Sequence, residues 1–166
     1  MNDALYEQLV KRKARPIDYI LRILIIAALA LLFFFGTMIF GSFAIMVVLI
    51  LAIVVYCFVF PRFNVEYEYT LLNHDLEIDA IYNRANRKKQ VSFDIKQAEI
   101  IAPNNSPRLH SYSNLKVRDF SSGEDSSNIY AIVLQMEQEM LRILIEPDQD
   151  MIHHMQQWMG SRMFTD

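Results

Sequence analysis

One stretch of the chain has no polar period. Residues 23–60 contain no charged side chain. As a single helix at about 1.5 Å per residue this stretch would be roughly 57 Å long. A hydrocarbon core about 30 Å thick needs only about 20 apolar residues for one crossing, and a single helix this long would tilt beyond the usual range of roughly 0–40°. The pattern therefore predicts two crossings and a tight turn. The first span covers about residues 17–35, Gly36, Thr37, Gly41 and Ser42 mark the turn, and the second span covers about 43–60, closed by Pro61 and Arg62. Gly36 and Gly41 read as turn residues rather than a dimerisation face, because other small residues in the block are sparse.

Ahead of the block, Leu5 and Leu9 are four apart, with Tyr6 and Val10 beside them. Asn2 or Asp3 can cap a helix start. The segment reads as a short interfacial helix with Tyr6 at headgroup level, or as a frayed tail. Lys11, Arg12, Lys13 and Arg15 form a basic cluster against the first span. Pro16 suits a first helical position, and Asp18 and Arg22 have the spacing of an ion pair.

From residue 64 the period changes to two. Val65, Tyr67, Tyr69 and Leu71 alternate with Glu66, Glu68 and Thr70, and Leu76, Ile78, Ala80 and Tyr82 alternate with Glu77 and Asp79. These are half-buried strands, with Asn73-His74 as a hairpin turn. A second turn over 83–88 leads to strands at 90–95 and 98–102, so the four read as one antiparallel meander. Tyr112, Leu115, Val117 and Phe120 suggest one irregular strand, and 121–127 a flexible polar loop. Residues 129–136 are apolar on both faces and read as a central strand. Glu137-Gln138 is the turn to a strand carrying Leu141, Ile143 and Ile145. After Pro147 and Asp148, residues Met151, Ile152, Met155, Trp158 and Met159 recur at helical spacing until Gly160. The expected division is a basic N-terminal segment at 1–16, a helical hairpin at 17–62, a β-domain at 63–160 and a tail at 161–166.

Charge sharpens this picture. Through Phe63 the chain has net charge +3 and afterwards −6, which together make the overall −3. An acidic domain lacks the basic face that nucleic acids require, so nucleic acid is not expected as a partner. The single cysteine, Cys57, excludes a disulfide framework and a cysteine-based zinc site. Lys11, Arg12, Lys13, Arg15 and Arg62 flank the spans on one side, which puts both termini in the cytoplasm. A cleaved leader would have an apolar core of only about 7–15 residues. The apolar stretch 23–60 carries no charged residue, which argues against a self-contained transporter.

About seven strands followed by one amphipathic helix bearing a tryptophan resemble the pleckstrin-homology-like (PH-like) domain over roughly residues 64–160. The whole layout resembles small bacterial plasma-membrane proteins with a cytoplasmic PH-like domain. The resemblance implies an α+β membrane protein: a transmembrane helical hairpin, then an antiparallel β-barrel or sandwich capped by a C-terminal helix. The first hairpin, Leu72-Asn73-His74-Asp75, lacks the basic motif with which eukaryotic PH domains hold phosphoinositides, so inositol phosphate is not implied.

Four candidate sites stand out. Arg84, Arg87, Lys88 and Lys89 suit an anionic headgroup or a partner, or are a solvated turn. At about 1 kcal/mol each they can orient a domain that the spans already anchor. His153 and His154 point about 100° apart on a helix and make a poor metal site; no metal or cofactor is expected. Glu66, Glu68, Glu77 and Asp79 could serve acid–base chemistry but fall at solvent-facing positions. Met136, Met140, Met151, Met155 and Met159 read as core, while Met163 and Phe164 read as exposed and available to a partner. With no nucleophile triad or phosphate-binding glycine loop, the expected function is a non-enzymatic adaptor held at the lipid bilayer. It would bind a protein partner or a second copy of itself. The alternatives are a sensor of anionic lipid surfaces and an accessory subunit of a larger transport complex.

Overall fold

The computed structural model describes residues 5–124 and 128–165. Asn2 and Asp3, the expected caps, and residues 125–127 of the polar run lie outside them. Two compact units divide the chain. One is Ala14–Val65 with Tyr82–Ala85; the other is Met1–Lys13 with Glu66–Ile81 and Asn86–Asp166.

The first unit is built on two apolar helices, α1 (Pro16–Phe40) and α2 (Ser42–Val54). α2 runs on through a π-helical turn at Val55–Val59 and a 3-10 turn at Phe60–Phe63. Pro16 opens α1, where its missing amide costs nothing, and the Arg15 amide donates to the Asp18 carboxylate at 2.9 Å. Asp18 is therefore a cap and not the expected partner of Arg22, whose guanidinium lies against the rings of Tyr19 and Phe63. The turn is narrower than expected and consists of Gly41 alone. Its φ of 58° and ψ of −139° form a conformation essentially reserved for glycine. Gly36 and Thr37 sit inside α1 instead. Gly36 lets the helices approach, since a Cβ there would stand 3.1 Å from the Ala44 Cβ. By length and composition, α1 and the continuous helical run Ser42–Phe63 could each cross a membrane, with mean hydropathies of 2.8 and 3.2. Phe34, Met38 and Ile50 are among many large apolar side chains left exposed on them.

The second unit holds the strands β1 (Leu5–Lys11), β2 (Val65–Leu72), β3 (Asp75–Tyr82), β4 (Asn86–Asp94), β5 (Ala98–Pro103), β6 (Lys116–Asp119), β7 (Tyr130–Met136) and β8 (Glu139–Ile145). They form two four-stranded sheets, ordered β1-β2-β3-β4 and β5-β7-β8-β6. With the C-terminal helix α3 (Gln149–Met159) the architecture is consistent with a PH-like sandwich.

The segment before the helices is thus a strand, which corrects both the interfacial helix and the frayed tail. It pairs antiparallel with β2 from Leu5↔Leu72 to Lys11↔Glu66. Tyr6, Gln8 and Val10 turn inward while Leu5, Glu7, Leu9 and Lys11 face solvent. The Leu5–Leu9 spacing fits either period. An isolated helix this short is marginal in water, whereas a neighbouring strand satisfies a row of backbone groups.

The expected four-strand meander stops at three strands. Ile95–Gln97 forms a 3-10 turn, capped by Asp94 on the Lys96 amide at 2.8 Å. It carries the chain to β5 in the other sheet. The β3–β4 turn is also tighter than expected. Ala85 donates to the Tyr82 carbonyl at 3.1 Å, and Asn83 and Arg84 both have positive φ. β4 therefore begins at Asn86, which places Arg87, Lys88 and Lys89 on a strand and leaves Arg84 in the turn.

β7 lies between β5 and β8, as its two apolar faces imply, and Tyr130 to Leu134 are all buried. Ala131 and Val133 belong to a small second core with Ala102 and Leu109, against which Tyr112, Leu115 and Phe164 pack. The expected irregular strand is instead a 3-10 segment, Pro107–Tyr112, followed by the short β6, which runs parallel to β8. Ser121 and Ser122 are buried rather than part of a flexible loop; the Ser122 carbonyl accepts from the Lys13 amide at 2.7 Å.

α3 starts at Asp148, which accepts from the Met151 amide at 2.9 Å, and ends at Gly160. Met151, Ile152, Met155 and Met159 are buried, but Trp158 is 38% exposed. Met163 and Phe164 are not free: Met163 is buried beside Ile101 at the edge of β5, and the Phe164 amide donates to the Ile101 carbonyl at 2.8 Å.

Candidate functional site

The first sheet's ionic face begins with alternation in β2 and β3, which sends Glu66, Glu68, Glu77 and Asp79 to the side opposite the core. Glu68 and Asp79 are not solvated as expected: their side chains are only 12% and 8% exposed. Arg87 of β4 covers both, pairing with Glu68 and standing 3.4 Å from Asp79. Lys89 pairs with Glu77 at 2.8 Å. Burial, and then the neighbouring Glu77, push the Asp79 carboxyl above its ordinary range, with Lys89 opposing. One arginine over two acids offsets part of their charge and ties β2 and β3 to β4; this is an ionic clamp across three strands. Two of the four basic residues expected to meet lipid or a partner are engaged in it.

The basic anchor residues divide between the units. Lys11 lies on β1 opposite Glu66, and the Lys13 ammonium is 4.0 Å from Glu124. Arg15 caps α1, and Arg62 is exposed on the 3-10 turn after α2.

β1 is locked to α3. The Tyr6 hydroxyl donates to Asp148, and the Gln8 amide group donates to the Glu146 carbonyl at 2.9 Å and accepts from the Asp148 amide at 3.0 Å. His154 stacks on the Tyr6 ring, while His153 is exposed. Burial together with the bond to Asp148 pushes the Tyr6 hydroxyl up to about 12. The outward face of this edge carries Leu5 and Leu9, 58% and 61% exposed, with the exposed Leu72 directly across from Leu5. Sequence reasoning missed this edge because it assigned the segment to the membrane surface.

A second grouping also escaped sequence reasoning. The β2–β3 turn presents His74 and Asp75, and Asp94 ends β4 beside them. His74 Nδ1 is 3.1 Å from Asp94 and 3.6 Å from Asp75, and one donor atom from each residue lies within 4.8 Å of the others. One nitrogen and two carboxylates can hold a divalent cation. The same distances suit an ion pair of a protonated imidazole with two acids. The Lys96 ammonium lies 4.6 Å over the Trp158 ring, and that ring meets the His74 ring edge-on at 5.4 Å. The signal in the sequence was the adjacent His74-Asp75 at a hairpin tip.

A family model described as "Bacterial PH-like domain (DUF6106)" matches residues 2–165. The match takes in β1 and both apolar helices, well beyond the residues 64–160 to which the resemblance pointed. No curated protein and no solved structure matches the chain significantly.

Proposed function

We propose, because the chain belongs to the bacterial PH-like domain family, that it is a non-enzymatic binding module anchored in a bacterial plasma membrane with its β-domain in the cytoplasm. The observation that carries this reading is the β1–β2 ladder. β1 precedes the helical pair, β2 follows it, and the two strands are hydrogen-bonded neighbours. A chain that leaves a sheet through one apolar helix and returns to it through another crosses twice and ends on the side where it began. Lys11, Arg12, Lys13, Arg15 and Arg62 flank the helices on that side, which the positive-inside rule assigns to the cytoplasm.

The partner is a protein segment received at the β1 edge. An edge strand presents unpaired backbone groups, and Leu5, Leu9 and Leu72 add apolar surface there. The alternative reading, an anionic-lipid sensor, has less support because Arg87 and Lys89 already pair within the sheet.

The test places a photo-crosslinking residue at Leu9, and separately at Lys116 on β6, in the full-length protein in its own membrane. Capture of one defined protein, or of a second copy, from Leu9 and not from Lys116 supports the reading. Lipid alone at both positions overturns it. A reporter active only outside the cell, fused after Asp166, should be silent; signal there would refute the two-crossing topology.

A further inference from the structure

The helical unit contains two adjoining cavities. One, of about 500 Å³, is lined by Arg22, Tyr56, Asn64 and Asn83 among others. The other, of about 390 Å³, is lined by apolar side chains including Ile26, Leu29, Leu49 and Ile53. Tyr56 and Phe60 border both, so the polar chamber continues into the apolar groove. The register of the helices makes this continuity regular. Ile26 and Leu29 follow Arg22 at four and seven residues, on one face of α1. On the other helix, positions 49, 53, 56 and 60 recur at spacings of four, three and four.

Three features mark the polar chamber as a site for a ligand. The Arg22 Nε is buried and has no hydrogen-bond partner. No carboxylate lines either cavity, and the guanidinium is met by the Tyr19 and Phe63 rings. The π-helical turn Val55–Val59, an energetically poor conformation often kept at functional sites, brings Tyr56 and Cys57 to the chamber wall.

We infer that these cavities form one binding site for an anionic phospholipid. Its phosphate pairs with Arg22 beside the Asn64 and Asn83 amides, and one acyl chain lies along the groove between α1 and α2. The inference rests on the membrane-anchored reading above. The class of lipid follows from charge: the chamber offers a cation and neutral polar groups, but nothing negative to hold a choline or ethanolamine ammonium. Arg22 lies about 10 Å along α1 from Leu29, so the headgroup sits at the mouth of the groove and the chain runs inward.

The test uses full-length protein in bilayer nanodiscs containing phosphatidylglycerol and phosphatidylcholine with identical chains in equal amounts. Lipid retained after transfer to mild detergent is read by native mass spectrometry. The wild type should keep phosphatidylglycerol in excess. Arg22→Gln should lower that preference about tenfold, the loss expected for one charge-assisted hydrogen bond, while Arg22→Lys should keep most of it. Ile53→Trp, which fills the groove without changing charge, should lower retention of both lipids. Retention at the input ratio by the wild type overturns the site, as does unchanged retention by Ile53→Trp, or a lipid-free dimer with the groove filled by a second copy. An alkaline carbonate wash separates the two readings. Protein that washes off the membrane refutes the anchor itself; protein that stays but shows no preference refutes only the lipid site.

Discussion

Lys11 and Glu66 stand opposite each other in the β1–β2 ladder although the whole of α1 and α2 lies between them in the chain. The β-domain thus takes one strand from before the helical pair and the rest from after it. Pairing across such an insertion links the two structures: the strand that completes the first sheet is also the lead-in to α1. Without β1, the backbone groups of β2 would be left open along one side.

The lock between β1 and α3 should therefore carry measurable stability. Gln8→Ala removes two hydrogen bonds, to Glu146 and Asp148, at about 1 kcal/mol each. Asp148→Ala loses the helix cap, worth about 1 kcal/mol, together with the bond from Tyr6. Because Tyr6 and Asp148 share one bond, the double variant Tyr6→Phe, Asp148→Ala should lose less than the two single losses combined. Thermal unfolding of the full-length protein in one detergent gives the comparison. Strict additivity would mean that the contact contributes nothing.

Asp79 predicts a pH dependence. Its carboxyl is raised above the ordinary 3.8 by burial and by Glu77. Between 3.8 and the raised value, the native state holds a proton that the unfolded chain has released. Stability therefore falls as pH rises through that window, and the full penalty persists above it. Asp79→Asn cannot titrate, so its stability relative to wild type should rise across the same window. Unfolding followed from about pH 4 to about pH 7 decides the matter, and parallel curves for the two proteins would refute the claim.

Much of the β-domain was legible because alternation with one buried face admits few arrangements: β2, β3, the buried β7 and the stripe on α3 all follow from period and burial. β1 was hidden because Leu5 and Leu9 fit two periods and the pairing partner lies beyond the helices. The change of sheet at Ile95 was hidden because a 3-10 turn of three residues leaves no periodic trace. Glu68 and Asp79 looked solvated because alternation reports which face a residue takes, not whether an arginine from the next strand lies over it. The chamber at Arg22 was likewise out of reach, since it depends on how two uniformly apolar helices pack.

Gly36 should set the approach of α1 to α2. A side chain there meets the Ala44 Cβ at 3.1 Å from its first carbon. Gly36→Ile adds three more carbons at that contact and should cost about 1–3 kcal/mol by overpacking. Ala44→Gly in the same chain should recover part of the loss. Cysteines at Leu29 and Ala52, on facing sides of the helical pair, offer a second readout. In a background with Cys57→Ala, Gly36→Ile should lower their crosslinking yield and Ala44→Gly should restore it. Equal yields in all three chains would show that the close contact does not hold the pair.

Trp158 is the only tryptophan, so its fluorescence reports on one place, the contact of α3 with the β2–β3 turn. The His74 ring lies edge-on at 5.4 Å and the Lys96 ammonium 4.6 Å over the indole, leaving it 38% exposed. His74→Ala removes a wall of that half-open setting and also leaves Asp94 without its imidazole partner. Emission should shift to the red, and quenching by iodide should increase. Lys96→Ala should lose about 0.5–1 kcal/mol of cation–π attraction at this exposed position, and iodide quenching should fall because the attracting cation is gone. The two variants thus move quenching in opposite directions. Should His74→Ala leave both the emission maximum and the quenching unchanged, the imidazole would have no part in seating the C-terminal end of α3.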